Sequence, residues 1–288
     1  MKGMLVWAML LLTACSIGRP VATATLRPTP DVPVVPAQAA AATRAPVASD
    51  APVPATAEVP QYDGRWREVE PGLEVLLIRG RVGEHSELLV VLRVDPARQA
   101  LRVRYAPDSP RLVHEWFNAT GAAAVINAGY FLEDKRTASL LIVNGAVHGQ
   151  TYKGFGGMFA VREGAATLQW LRRSAYRADA AITQAVQSVP MLVEDGAVVP
   201  GIPENGERNR RSFVAVDARG RVLLGVGQTA AWTLTELATY LAAEESLEVQ
   251  AALNLDGGAS SGLWVRGGFD PVLTNSLETV PSVITVGG

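Results

Sequence analysis

In 288 residues the chain has one cysteine, three histidines and only three lysines. A lone cysteine forms no intramolecular disulfide. His85, His114 and His148 are far apart and lack a cysteine or carboxylate at a metal-ligand spacing, so no zinc site is expected. His148 sits near an expected hairpin and is kept as a residue that could border a cleft. An exported protein can bind a divalent cation such as calcium, yet no contiguous Asp-rich loop indicates one, and no cofactor is expected. There is no Walker loop and no Gly-x-Ser-x-Gly elbow. A basic excess is missing as well, since 26 Lys+Arg face 28 Asp+Glu for a net charge of −2. That balance excludes a protein held on nucleic acid backbones. With arginine replacing lysine almost throughout, any single arginine is weak testimony to function.

The apolar run at residues 4–14 follows Lys2 and is too short to span a bilayer, but it has the length of a signal-peptide core. Leu12-Thr13-Ala14-Cys15 resembles the bacterial lipobox, which implies a leader of residues 1–14, a lipidated Cys15 and a protein anchored outside the cytoplasm through its lipid. Residues 15–61 are rich in Ala, Pro, Thr and Val and carry nine of the chain's 18 prolines. Proline fixes φ and removes a donor, so this stretch reads as an extended, disordered tether.

From residue 62 the composition becomes that of one folded domain, 62–288. Short β-type runs occupy 73–78, 88–94, 101–105, 123–126, 140–143, 158–161, 213–216 and 222–226. Asn144-Gly145, Asp195-Gly196 and Arg219-Gly220 each separate apolar runs, the local signature of hairpins. Two helices are expected. One starts with Ser109 as cap and Pro110 in the first turn, and the other with Thr233 and Glu236 at capping-box spacing. The expected fold is α+β: mostly antiparallel sheet with a few packed helices in a single domain.

Three segments carry candidate chemistry. In Ala251-Ala252-Leu253-Asn254-Leu255-Asp256-Gly257-Gly258-Ala259-Ser260-Ser261 an apolar strand is expected to end at Asp256. Asn254 and Asp256 would share a side by the two-residue alternation. The Gly257 and Gly258 amides could converge on an anion, with Ser260 and Ser261 as hydroxyl donors at the rim. Alone, Asp-Gly-Gly fits a hairpin turn equally well; the polar groups crowded after so apolar a strand favour a site. Asn127, in Asn127-Ala128-Gly129-Tyr130-Phe131, ends a second strand, either as a sugar or phosphate ligand or as a turn cap. Arg208-Asn209-Arg210-Arg211-Ser212 enters a third, and Arg211, nearest the strand, suits a phosphate.

Taken in order with Val189-Pro190-Met191-Leu192-Val193-Glu194-Asp195-Gly196 and the threonine-capped helix, these segments resemble the phosphodiester glycosidase family over residues 123–288. Ala128, Arg210 and Ala259 depart from its pattern. The resemblance implies hydrolysis of the bond between a sugar's anomeric carbon and a phosphodiester, in envelope or exopolysaccharide glycans. It also implies a site of Asp256, Asn127 and Arg211, with Gly257, Gly258, Ser260, Ser261, Asn254 and Arg208 about the substrate. Asp256 would be base or nucleophile, and Glu133, Asp134 or Glu278 the second carboxylate that glycosidases usually employ. A non-catalytic phosphoglycan-binding module and a phosphodiesterase cleaving P–O are the competing readings.

Overall fold

The computed structural model describes residues 62–152, 154, 156–267 and 274–288. The leader, Cys15 and the tether lie outside the described residues. The chain runs β1 (Trp66–Glu70), β2 (Leu73–Val82), β3 (His85–Val94), β4 (Leu101–Tyr105), α1 (Val113–Thr120), β5 (Ala124–Asn127), β6 (Leu141–Val143), β7 (Ala146–His148), β8 (Gly157–Arg162), β9 (Ala165–Trp170), β10 (Ile182–Ser188), β11 (Met191–Glu194), β12 (Ala197–Val198), β13 (Ser212–Asp217), β14 (Val222–Gly227), α2 (Leu234–Ala243), β15 (Val249–Asn254), β16 (Leu263–Val265) and β17 (Ser282–Val286).

The strands form three antiparallel sheets: eight strands in the order β1-β2-β3-β14-β13-β15-β11-β12, five in the order β7-β6-β10-β8-β9, and four in the order β16-β5-β17-β4. Apolar residues line both faces of the large sheet because both are covered. Val75, Leu77, Val90, Leu92, Val214 and Leu224 enter the main core shared with the other sheets. Their neighbours Leu76, Leu89, Val91, Phe213, Ala215 and Leu223 face Trp232 and the Leu237, Ala238 and Leu241 stripe of α2. Two buried faces explain why the central strands are continuously apolar instead of alternating.

The three expected hairpins are present, pairing β6 with β7, β11 with β12 and β13 with β14. Asn144 and Asp195 adopt positive φ at two of the turns, as the tightest hairpins require. α2 has the expected capping box: Thr233 Oγ1 accepts from the Glu236 amide and the Glu236 carboxylate accepts from the Thr233 amide. α1 starts later than its sequence suggests. Arg111 is drawn into a β-bridge with Val280, so Ser109 caps nothing and Leu112 is the N-cap residue. The first donors of α1 go to distant groups, the Val113 amide to Ser276 Oγ and the His114 amide to Asn275 Oδ1.

Asp-Gly-Gly is not a hairpin. β15 ends at Asn254, two residues before the expected Asp256, and the chain crosses from the eight-stranded sheet to β16 in the four-stranded one. Strand alternation therefore does not relate Asn254 to Asp256.

Candidate active site

The exits of β5 and β15 meet at the seam between those two sheets. The Asp256 amide donates to the Ala128 carbonyl at 3.1 Å, and Asn127 Nδ2 donates to the Asp256 carbonyl at 2.7 Å. Asn127 Oδ1 accepts from Ser212 Oγ at 2.7 Å and from the Gly262 amide at 3.1 Å. One buried side chain, 1% exposed, thus joins β5, the start of β13 and the far side of the glycine turn. Its amide is spent on these bonds. Asn254, at the end of β15, is also enclosed, and its Nδ2 lies on the Tyr130 hydroxyl and the Val189 and Leu255 carbonyls.

Asp256 stands just past this junction. Burial pushes its carboxyl up to about 6, helped by the negative charge of Glu278 and opposed by the Ser260 hydroxyl, the Gly257 amide and Lys135. Ser260 Oγ donates to Glu278 Oε1 at 2.9 Å, and its hydroxyl stands beside the Asp256 carboxylate as well. Glu278 is brought in by its loop, since the Leu277 and Glu278 amides both donate to the Ala259 carbonyl. Lys135 Nζ sits 3.6 Å from Glu278 Oε2, donates to the Thr279 carbonyl and lies over the Phe131 ring. Of the three candidate partner carboxylates, Glu278 is the one beside Asp256, while Glu133 and Asp134 are exposed at the hairpin tip.

Arg211 faces the same turn. Its Nη1 lies 3.9 Å from the point a Cβ on Gly257 would occupy, while Nε and Nη2 are held by the carbonyls of Trp232 and Glu207. No carboxylate among the described residues pairs with it, and burial pulls its pKa below the ordinary arginine value. Arg210 is an anchor, donating through Nη2 to the carbonyls of Ser261 and Asn275. Arg208 lies apart from this group, bound to Glu236 at the start of α2 and facing His85.

The two glycines have different reasons to be glycine. Gly258 has φ +61 in open space, where a side chain brings backbone strain. Gly257 is extended, and a Cβ there would press on the Arg210 carbonyl at 3.1 Å and lie 3.9 Å from Arg211 Nη1. Their amides are not free for an anion: Gly257 donates to Asp256 Oδ1 at 2.9 Å and Gly258 to the Arg210 carbonyl at 2.8 Å. Ser261 is fully buried, and its hydroxyl has no protein partner among the described residues.

Sequence reasoning did not single out Tyr130 or Lys135. Tyr130 is half-buried, within the electrostatic reach of both Asp256 and Arg211, and burial and Asp256 push its phenol up to about 12. Lys135 carried one available signal, as one of only three lysines in the chain.

A model of the phosphodiester glycosidase family matches residues 120–286, more than half of the sequence. The chain belongs to the phosphodiester glycosidase family. All of the residues gathered around Asp256 fall inside the region matched to this family. Its fold is similar to the catalytic domain of zebrafish N-acetylglucosamine-1-phosphodiester α-N-acetylglucosaminidase auto-inhibited by its pro-peptide, with a TM-score of 0.59 and 16% identity over 77% of this chain and 85% of that one. A protein from Synechocystis gives a TM-score of 0.60 at 15% identity over 75% of this chain, which spans 62% of the Synechocystis one. At such identities the likeness is one of fold. No curated protein sequence matches.

Proposed function

We propose that this member of the family hydrolyses the anomeric C–O bond of a sugar-1-phosphodiester, releasing free sugar and a phosphomonoester. The observation that carries the reading is a half-buried Arg211, without an ion pair among the described residues, facing the same glycine turn that presents Asp256. A desolvated guanidinium with an open edge matches phosphate oxygens. With the phosphate on Arg211 beside Gly257, the sugar is turned toward Asp256, the residue before that glycine.

A phosphate is already a weak base, so its departure needs charge stabilisation more than a proton. Ser260 donates to Glu278 and stands beside Asp256, which puts the two acids on one side of the glycine turn. With Asp256 as nucleophile and Glu278 beside it, the reaction is a double displacement. Asp256 attacks the anomeric carbon, the C–O bond breaks, and its electron pair leaves on the phosphate. Glu278 then takes a proton from water, whose oxygen attacks the same carbon and frees Asp256. Asn127, tied to the Asp256 carbonyl, positions the nucleophile, and Gly257 leaves room for the phosphate.

We place the protein on the outer side of a bacterial membrane, held by a lipid on Cys15 and acting on envelope or exopolysaccharide glycans. The tetrapeptide 12–15 and the proline-rich stretch behind it support this placement.

The test is to incubate the protein and an Asp256→Asn variant with UDP-N-acetylglucosamine and other sugar-1-phosphodiesters in ¹⁸O-water and to assay reducing sugar. The expected result is release by the parent alone, with the label in the sugar. Label in the phosphate would make the protein a phosphodiesterase, and binding without release would make it a phosphoglycan-binding module.

A further inference from the structure

We infer that Tyr130 is a catalytic residue whose hydroxyl donates a hydrogen bond to the oxygen that leaves the anomeric carbon with the phosphate. The inference rests on the glycosidase reading above.

The Tyr130 hydroxyl receives Asn254 Nδ2 at 2.9 Å, and the same nitrogen lies 2.9 Å from the Val189 carbonyl and 2.7 Å from the Leu255 carbonyl. With two carbonyls around it, that end of the side chain can only be the donating NH₂ group. That nitrogen has no lone pair to accept with, so the phenol does not donate to it and its proton points elsewhere. Among the described residues no protein acceptor receives that proton. The phenol feels the charge of Asp256 and, with opposite sign, that of Arg211. Tyr130 lies two residues past Ala128, whose carbonyl takes the Asp256 amide, and its hydroxyl is held by Asn254, two residues before Asp256; with the anomeric carbon at Asp256 and the phosphate on Arg211, we place it facing the bridging oxygen.

Charge is all that moves at this hydroxyl. As the C–O bond breaks, the electron pair passes to the bridging oxygen, which departs as a phosphate oxygen. The phenol, held at about 12, is far weaker as an acid than a phosphomonoester, whose second ionisation lies near 6, so its proton stays on Tyr130. The hydrogen bond strengthens as negative charge grows on its acceptor, which lowers the barrier more than it tightens the ground state.

The experiment compares the protein with Tyr130→Phe, measuring kcat on a sugar-1-phosphodiester, the melting temperature, and substrate Kd in an Asp256→Asn background where nothing turns over. Removing one such donor is expected to lower kcat about 10²- to 10³-fold, with Kd and melting temperature unchanged. A second protein carries 3,5-difluorotyrosine at the position, which keeps the oxygen but acidifies it. There the kcat profile is expected to gain a descending limb at alkaline pH, because the donor is lost on ionisation. An unchanged kcat, a kcat and Kd that worsen together with melting, or a fluorinated protein without the new limb overturns the inference. If the unmodified protein releases no sugar, the glycosidase reading fails and takes this role with it.

Discussion

Removing the Asn127 side chain should uncouple two sheets at one point. In Asn127→Ala the Gly262 amide and the Asp256 carbonyl lose bonds of 3.1 and 2.7 Å inside a junction closed to solvent. Orphaning a buried polar group costs about 1–3 kcal/mol. The Ser212 hydroxyl, now bonded at 2.7 Å, can rotate and contributes about 1 kcal/mol or less. The sum is about 2–7 kcal/mol, a large part of the stability of an ordinary domain. Urea unfolding reads it as a lower midpoint at constant m-value. Ser212→Ala alone should cost about 1 kcal/mol, and the double-mutant cycle should return a coupling of about that size. Activity should fall more through kcat than KM, because the Asp256 backbone loses its tether while Arg211 keeps its own. A loss below 1 kcal/mol in Asn127→Ala would refute the idea that this amide joins the sheets.

Four further outcomes follow from the site. Asp256 is harder to ionise folded than unfolded, so its contribution favours folding most below about pH 4 and fades as pH rises to about 6; Asp256→Asn should therefore raise the melting temperature at pH 7.5, leave it unchanged near pH 3.5, and abolish turnover. As nucleophile Asp256 must be ionised, so kcat/KM should rise with pH through about 6, and Glu278→Gln, which removes a negative neighbour but keeps an acceptor for Ser260, should move that limb to lower pH. Arg211→Met should retain the fold, since no ion pair is broken, and should lower kcat/KM about 10²- to 10³-fold, with loss of inhibition by phosphomonoesters in the same assay. Gly258→Ala should cost about 1 kcal/mol in urea unfolding through left-handed strain; Gly257→Ala should also lower the midpoint, because its methyl would press on the Arg210 carbonyl at 3.1 Å, and should weaken substrate binding by lying 3.9 Å from Arg211 Nη1.

Local chemistry was legible in the sequence. Asn144-Gly145 and Asp195-Gly196 specify their turns through the residues in them, and Thr233 with Glu236 caps α2 without outside help. α1 was displaced because its amide donors are satisfied by Asn275 and Ser276, more than 150 positions away, which no local rule anticipates. β16 and β17 went unread, the first being three residues long and the second following a loop. Asp256 stood out as a carboxylate after an apolar strand. The choice of Glu278 over Glu133 and Asp134 rests on an Ala259 carbonyl gripping a distant loop, and Tyr130 on a contact with Asn254 that forms only when two sheets meet.

That meeting place makes the site a reporter of docking. Asn127 ends β5 of one sheet, while Asp256 follows β15 of another. Gentle heating or mild denaturant that loosens this junction should abolish the proposed activity before the β-sheet signal is lost. The same arrangement leaves the outer loops free to vary around a fixed joint, changing which sugar is admitted without touching the bonds that hold Asp256 in place.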